Sequence, residues 1–494
     1  MNSGNPARVL MLLATILAAS HVAGQESESR ADEQRREAPP LPTGLGEERD
    51  QPPLPSELGE ETGTPPLPAG LDGDGEDEKE RETEARERGA LARFASSLTG
   101  FWDTRAGVRL RENPDQRATS LGETRLQLSR DQYAGAALIR LTADFVYDDV
   151  AAGHELQPEQ GRGWMDLREA YAGGTLGDHA DLRAGRQILT WGVGDLLFLN
   201  DLFPKDWNSF FTGRDVEYLK APSDAVKLAL FSDWANLDIV YTPKFDPDRF
   251  LDNRRLSLFD PRSGRLIGRH DSFRPSRPSG WFDDDEWAFR LHRTVGGWEA
   301  AAYGYRGFWK SPAGFDPVSG RPLFPELSAS GGSLRGPVHT GIVSLETSWY
   351  RSRDDLAGAN PFLPNSQFRF LAGYEQELVP DLMLGGQYYL ERTLDFDALT
   401  RNLPEGFSAP DENRHLLTVR LTLLTHGQYV TWSLFTFASP SDEDAYLRGL
   451  WSWKATDAWT LSAGFNLFEG TERSTFFGQF EDNTNAYLAV RYGF

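Results

Sequence analysis

The chain has 494 residues, 74 acidic against 51 basic, for a formal net charge of -23 at pH 7, and it contains no cysteine. A disulfide framework and any thiolate metal site are therefore excluded, and so acidic a chain, read as exported, is a poor partner for nucleic acid. Mean hydropathy is negative, which argues against a bundle of apolar helices, yet 14 Trp, 15 Tyr and 30 Phe supply the aromatic surface that gathers at membrane interfaces.

Residues 1–24 carry a single Arg8, the apolar run Val9 to Ala19 and then His21-Val22-Ala23-Gly24. A short basic start, an apolar run too brief to span a bilayer and small residues at its end read as a secretory signal peptide, cleaved after Ala23 or Gly24. No cysteine follows, so the signal is not of the lipid-anchored kind.

Residues 25–95 are acidic and proline-rich, without an aromatic residue as far as Arg88. Such a segment buries too little apolar surface to offset its ordering entropy and is expected to be disordered. A repeat runs through it: Pro39, Leu41 and Leu45, then Pro52, Leu54 and Leu58, then Pro65, Leu67 and Leu71, each within a Pro-Pro-Leu-Pro unit followed by a second leucine. Extended polyproline segments bearing leucines suit a periplasmic or inner-membrane transport partner, and repetition raises their effective concentration. The alternative is a stiff solvated spacer. Residues 76–98 are expected to form a short charged helix leading onward.

From residue 96 to 494 the pattern changes to period-two alternation, which places every second side chain on one face of a strand. Val226, Leu228 and Leu230 alternate with Lys227 and Ala229; Leu417, Val419, Leu421 and Leu423 with Leu416, Thr418, Arg420 and Thr422; Trp459, Leu461, Ala463 and Phe465 with Thr460, Ser462 and Gly464. Short connections are read at Arg130–Tyr133, 177–179, 233–236, 295–297, 380–381, 426–427 and 456–457, and long ones at 149–163, 190–222, 244–284, 309–322, 353–365, 395–411 and 471–482. One strand, near Leu323–Arg335, is poorly marked. The expected fold is all-β: an up-and-down antiparallel transmembrane β-barrel of about 18 strands, within a range of roughly 16 to 18. Its short turns and both ends would be periplasmic.

The chain ends on Leu488, Val490, Tyr492 and Phe494, four apolar residues on one strand face with Phe494 as the last residue. This resembles the terminal signal of Gram-negative outer-membrane proteins, which the barrel-assembly machinery recognises. If apolar side chains face lipid, the opposite phase lines a lumen: Arg105, Arg109, Glu123, Arg125, Arg140, Asp144, Asp166, Asp181, Arg183, Arg290, Arg306 and Arg420. Interleaved charges on a barrel wall select solutes, or pair with one another and brace the interior. Arg186 falls on the apolar phase, which calls for a bulge or a shifted register.

The connection at 190–222 carries Trp191, Asp195, Asp201, Asp206, Trp207 and Arg214 among five Leu and four Phe. A loop this apolar is costly in water, so it is expected to fold inward and narrow the lumen. The sequence from Leu167-Arg168-Glu169-Ala170-Tyr171 through Leu182-Arg183-Ala184-Gly185-Arg186-Gln187, Trp191-Gly192, Asp195, Asp201 and Pro204-Lys205-Asp206 resembles a family of uncharacterised proteobacterial outer-membrane barrels, and more distantly the alginate-export type of porin. The resemblance implies a pore, in some members accompanying inner-membrane exporters of lipids or other hydrophobic molecules, and names no solute.

The connection at 244–284 gathers Arg249, Arg254, Arg255, Arg262, Arg265, Arg269, Arg274 and Arg277. It suits lipopolysaccharide phosphates at an outer rim, anionic solutes drawn to a mouth, or a solvated loop. His270-Asp271-Ser272 is the nearest approach to a nucleophile–base pair, and without a placed third member it does not make a triad; no His-Glu-x-x-His spacing occurs and the acidic runs lack the order of a calcium loop. The expectation is a non-enzymatic outer-membrane channel or exporter without cofactor or metal, contacting outer-membrane lipid. The alternative is a structural or adhesion barrel with a plugged lumen and ligand-binding loops.

Overall fold

A computed structural model describes residues 97–150, 155–271, 273–407 and 409–494. The signal peptide, the proline-leucine repeats and Ser272 lie outside the described residues. The barrel strands are β1 (Thr99–Arg109), β2 (Thr119–Ala134), β3 (Ala137–Asp148), β4 (Met165–Leu176), β5 (Ala180–Ile188), β6 (Pro222–Leu230), β7 (Asn236–Thr242), β8 (Glu286–Val295) and β9 (Trp298–Phe308). They continue as β10 (Glu326–Val338), β11 (Gly341–Ser352), β12 (Gln367–Val379), β13 (Leu382–Thr393), β14 (Asn413–Thr425), β15 (Val430–Ser439), β16 (Asp444–Lys454), β17 (Trp459–Gly470) and β18 (Asn485–Gly493).

All belong to one 18-stranded antiparallel sheet in which each strand pairs with its chain neighbours. The sheet closes where β1 pairs β18, in register from Phe101 opposite Gly493 to Arg109 opposite Asn485. Gly100 and Phe494 exchange backbone hydrogen bonds of 3.0 Å at the seam. Closure leaves no edge strand with unpaired backbone groups, the condition a sheet must meet to stand in hydrocarbon.

One end of the barrel carries short turns and the other long connections. At Gly296 and Gly297 both φ angles are positive, +58° and +83°, the pairing a two-residue hairpin turn requires. Two readings of the connections need correction. Arg130–Tyr133 is not a turn: β2 continues to Ala134 and the chain reverses at Gly135, whose φ of +61° the turn needs. The poorly marked strand is β10, displaced to Glu326–Val338 and followed by a tight turn at His339, φ +52°. Serines and glycines on both of its faces erase the alternation.

The outward face is apolar between two aromatic girdles. At the short-turn end stand Tyr133, Trp432, Trp453, Trp459, Tyr492 and Phe494, and at the other end Tyr147, Trp164, Trp287 and Trp349, all exposed. Ile139, Leu141, Leu291, Leu345, Leu417 and Leu488 lie between them and are exposed too. Of the terminal stripe, Leu488 is 66% and Phe494 51% exposed, while the alternating Tyr487 is 4%. Aromatic girdles bounding an aliphatic band are the pattern of a strand-built membrane span.

Candidate functional site: a segment crossing the lumen

Residues 189–221, between β5 and β6, turn into the barrel and meet its wall on every side. Trp191 packs edge-to-face on Phe203, centroids 4.8 Å apart, among inward Ala288, Tyr303, Tyr305 and Tyr350. The carboxylate of Glu346, reaching in from β11 and 2% exposed, accepts from the backbone of Val193 (3.0 Å), Gly194 (3.3 Å) and Asn200 (2.9 Å) and from the Asn200 side-chain amide (2.9 Å). The Tyr350 hydroxyl donates to the Leu199 carbonyl at 2.5 Å. On the next wall, Gln387 of β13 accepts from Asp195 N–H at 2.7 Å and donates to its carbonyl at 2.9 Å, and Arg420 of β14 pairs with its carboxylate at 2.7 Å.

Asp201 receives the Thr190 hydroxyl (2.7 Å) and the buried Lys205 ammonium (2.9 Å). Asp206 then caps helix α1 (Trp207–Thr212) by accepting from Ser209 N–H at 2.8 Å, the role a short acidic side chain fills at a helix start. The helix drives Phe210 and Phe211 into an aromatic cluster built from Phe437, Tyr446, Phe468, Phe477 and Phe480. Tyr446 and Phe468 stack at 4.7 Å, and Phe211 lies 5.0 Å from Phe480. The helix stops at Gly213, φ +91°, where an added Cβ would stand 2.3 Å from the Tyr487 ring.

Beyond Gly213 the segment meets a charged wall. Arg105 donates to the Gly213 carbonyl (2.7 Å) and pairs with Asp103 (2.6 Å) and Asp215 (3.2 Å). Arg214 pairs with Glu123, and Arg491 with Asp215 (2.8 Å) and Glu217 (3.4 Å). The Tyr218 ring is covered by the guanidinium groups of Arg125 (4.3 Å) and Arg168 (4.8 Å).

The residues read from sequence as luminal fall in three groups. Arg105, Glu123, Arg125, Asp144 and Asp166 are buried and inward; the last four belong to one network, with Arg125 bound to Glu123 (2.7 Å) and Asp144 (2.5 Å) and Asp166 to Arg249 (2.6 Å), while Arg105 shares Asp103 and Asp215 with Arg491. Arg109 is also inward, but it donates to backbone carbonyls, among them Thr119 at 2.9 Å. Arg140, Asp181, Arg183 and Arg290 face inward nearer the short turns, Arg140 paired with Asp131 (2.5 Å), Arg183 over Tyr171 (5.7 Å) and Arg290 with Glu299 (2.6 Å).

Arg306 does not line the lumen. Its strand partner is the outward Trp287, its neighbours Tyr305 and Gly307 are buried, and it is exposed on the lipid-facing phase, so strand alternation assigns it there. Arg186 involves neither a bulge in β5 nor a shifted register. Pairing runs unbroken from Ala170–Arg186 to Leu176–Ala180; Arg186 stays on its phase, bound to Asp224 (3.0 Å) and to the Leu167 carbonyl (2.6 Å).

The connection 243–285 is not a solvated fringe as a whole. Arg255 is buried against Asp148 and Arg249 largely covered where it pairs with Asp166, while Arg262 and Arg265 remain exposed. It contains a short hairpin, Leu258–Asp260 with Arg265–Ile267, and roofs a polar cavity of about 920 Å³ bounded by Asp148, Asp166, Arg249, Arg255, Arg269 and Arg274. Asp248 ties it to the crossing segment, accepting from Lys205 N–H (2.7 Å), the Trp207 indole (2.9 Å) and Ser311 (2.6 Å). Burial pushes its carboxyl above the ordinary range, against those hydrogen bonds. Glu346, Tyr350, Gln387 and Asp248 went unmarked in the sequence reading. Glu346, between Leu345 and Thr347, stands on the inward phase of its strand, the signal by which alternation exposes it.

A closed barrel with an apolar girdled exterior, a charged interior and one connection folded across its lumen defines a porin-like membrane barrel. Among solved structures, the chain is similar to OccAB1 of Acinetobacter baumannii (10% identity, 80% of this chain and 95% of that one, TM-score 0.47). It is also similar to OmpF of Salmonella typhi in complex with daunomycin (9%, 80% and 97%, TM-score 0.39) and to a mutant porin of Rhodopseudomonas blastica (10%, 81% and 99%, TM-score 0.35). No family model matches the chain. No curated protein matches it either.

Proposed function

We propose that this chain is an outer-membrane channel or exporter whose conductance is governed by residues 189–221. The observation that carries the reading is the crossing segment itself, a long apolar connection held across a charged lumen by Glu346, Gln387 and Arg420 on one side and by Arg105, Glu123 and Arg491 on the other. Displacing it would leave a path with an aromatic wall (Phe437, Tyr446, Phe468 on β15–β17) running into an arginine–carboxylate wall on β18 and β1–β3. That pairing suits an amphiphile, or another hydrophobic or lipid molecule with a polar head, better than a small sugar. The proline-leucine tail is assigned to docking a periplasmic or inner-membrane partner.

The contact of the segment with the wall on all sides also favours a second reading, a structural or adhesion barrel whose lumen stays plugged. Reconstitution separates the two. In proteoliposomes, the mature chain with Glu346→Ala and Arg420→Ala should release an entrapped anionic amphiphilic dye several-fold faster than protein-free liposomes. Equal release from both would favour the plugged barrel.

A further inference from the structure

The lipid-facing wall between β8 and β12 carries a feature the channel does not use. Tyr241, Trp287, Arg306, Ser328 and Arg351 are successive register partners across five strands, so they stand in one row, at the long-connection end of the outward face. Arg306 and Arg351 are both exposed, and neither makes an ion pair or hydrogen bond through its side chain among the described residues. Glu326, the nearest outward acid on β10, is taken by Arg353 at 2.8 Å. Two strand spacings separate the pair, about 10 Å.

Below this row the next register set is Phe289, Gly304, Ser330, Trp349 and Phe368, and the one after it Leu291, Ala302, Gly332 and Thr347. Small residues on β9 and β10 thus form a floor between a ridge of Phe289 and Leu291 and a ridge of Trp349 and Phe368. Trp287 stacks on Phe289 with rings 7° apart and Trp349 meets Phe368 edge-on, which stiffens both ridges. A Cβ built on Gly304 meets nothing nearer than Phe289 at 3.9 Å, so the floor is open outward.

We propose that this groove is a binding site for lipopolysaccharide, with Arg306 and Arg351 holding phosphates of its lipid portion and the channel of Gly304, Ala302, Ser330 and Gly332 seating acyl chain. Paired guanidinium groups without protein counter-ions match two phosphates about as far apart as the strands set them, because guanidinium binds phosphate through two parallel hydrogen bonds. Charge disfavours a second copy of the chain here. Two such faces brought together about an axis normal to the membrane would set four arginines at one height, with Asp285, which accepts from the Trp287 indole at 3.3 Å, as the acid beside each row. The site rests on the outer-membrane reading, with the long connections outside, but not on conduction.

The test is native mass spectrometry of the mature barrel released from detergent, titrated with purified lipopolysaccharide, with the same lipid after phosphatase treatment, and with phosphatidylglycerol. Intact lipopolysaccharide should be retained, the dephosphorylated form and phosphatidylglycerol at least tenfold less. The Arg306→Ala, Arg351→Ala double variant should lose roughly tenfold or more in affinity, as expected when charge-assisted contacts go. Gly304→Phe, which fills the floor and keeps both charges, should lose retention too. Equal retention of phosphatidylglycerol, or unchanged binding by the folded double variant, would overturn the site. A barrel that conducts but fails this titration refutes the lipid site alone, and one that retains the lipid yet never conducts supports the site and speaks against the channel.

Discussion

Glu346 and Asn200 are joined twice: the Asn200 backbone N–H and its side-chain amide both donate to the same carboxylate oxygen, each at 2.9 Å. One residue stands on the barrel wall and the other in the middle of the crossing segment. With Val193 and Gly194 on the second oxygen, the carboxylate has four donors and, among the described residues, no cation. It acts as a clasp for backbone that would otherwise lie buried and unbonded.

Opening the clasp should loosen the segment. Glu346→Ala leaves those buried donors unmet at a cost on the order of 1–3 kcal/mol each, before relaxation, and should raise open probability in a planar bilayer while the barrel stays heat-modifiable on gels. Glu346→Gln, which keeps an acceptor oxygen, should fall between wild type and Ala. Identical traces for all three would remove Glu346 from the gate.

The Arg420–Asp195 pair, 2.7 Å apart and partly exposed, predicts a smaller, salt-sensitive effect. Arg420→Ala should raise conductance modestly at low ionic strength, and the difference from wild type should shrink in high salt as screening replaces the pair. A difference that grows with salt would contradict this assignment.

Phe211 predicts the stability of the docked segment. It is 1% exposed and meets Tyr446, Phe468 and Phe480; truncation to Ala should cost roughly 3–5 kcal/mol of local packing. Proteolysis of the folded barrel should then cut within 207–221 many-fold faster than in wild type, leaving the strands intact. Unchanged cleavage would mean that the aromatic cluster does not hold the segment.

Asp248 gives a pH dependence with a definite sign. Its carboxyl is raised by burial, so the charged form is disfavoured in the folded state, and folding gains stability as pH falls through the raised value towards the ordinary 3.8. Relative to Asp248→Asn, which has no proton to gain, wild type should resist proteolysis at the joint of the two connections better as pH is lowered over that window. The opposite trend would show the ionised carboxylate to be the stabilising form.

How far the sequence discloses this structure depends on alternation. Strands with apolar residues every second position, such as β14 and β17, are legible because lipid and lumen demand opposite chemistry of adjacent residues. The terminal stripe from Leu488 to Phe494 is legible for the same reason. β10 is not, because its outward Ser328, Ser330 and Gly332 lack the apolar mark. Arg306 misled for a related reason: a lone arginine beside Tyr305 suggests an inward charge, and only its register opposite Trp287 assigns it outward. The inward path of 189–221 follows from its apolar content in a long connection, but the clasp at Glu346 depends on contacts across 146 residues of chain, which no local pattern carries.

The central claim is tested most directly by single-channel recording of the mature chain beside a variant in which residues 192–218 are replaced by a short glycine-serine link. A closed or weakly conducting wild type and a large, stable conductance in the variant are what the crossing segment predicts. Two folded barrels that both stay silent would contradict it and leave a plugged structural barrel as the better account.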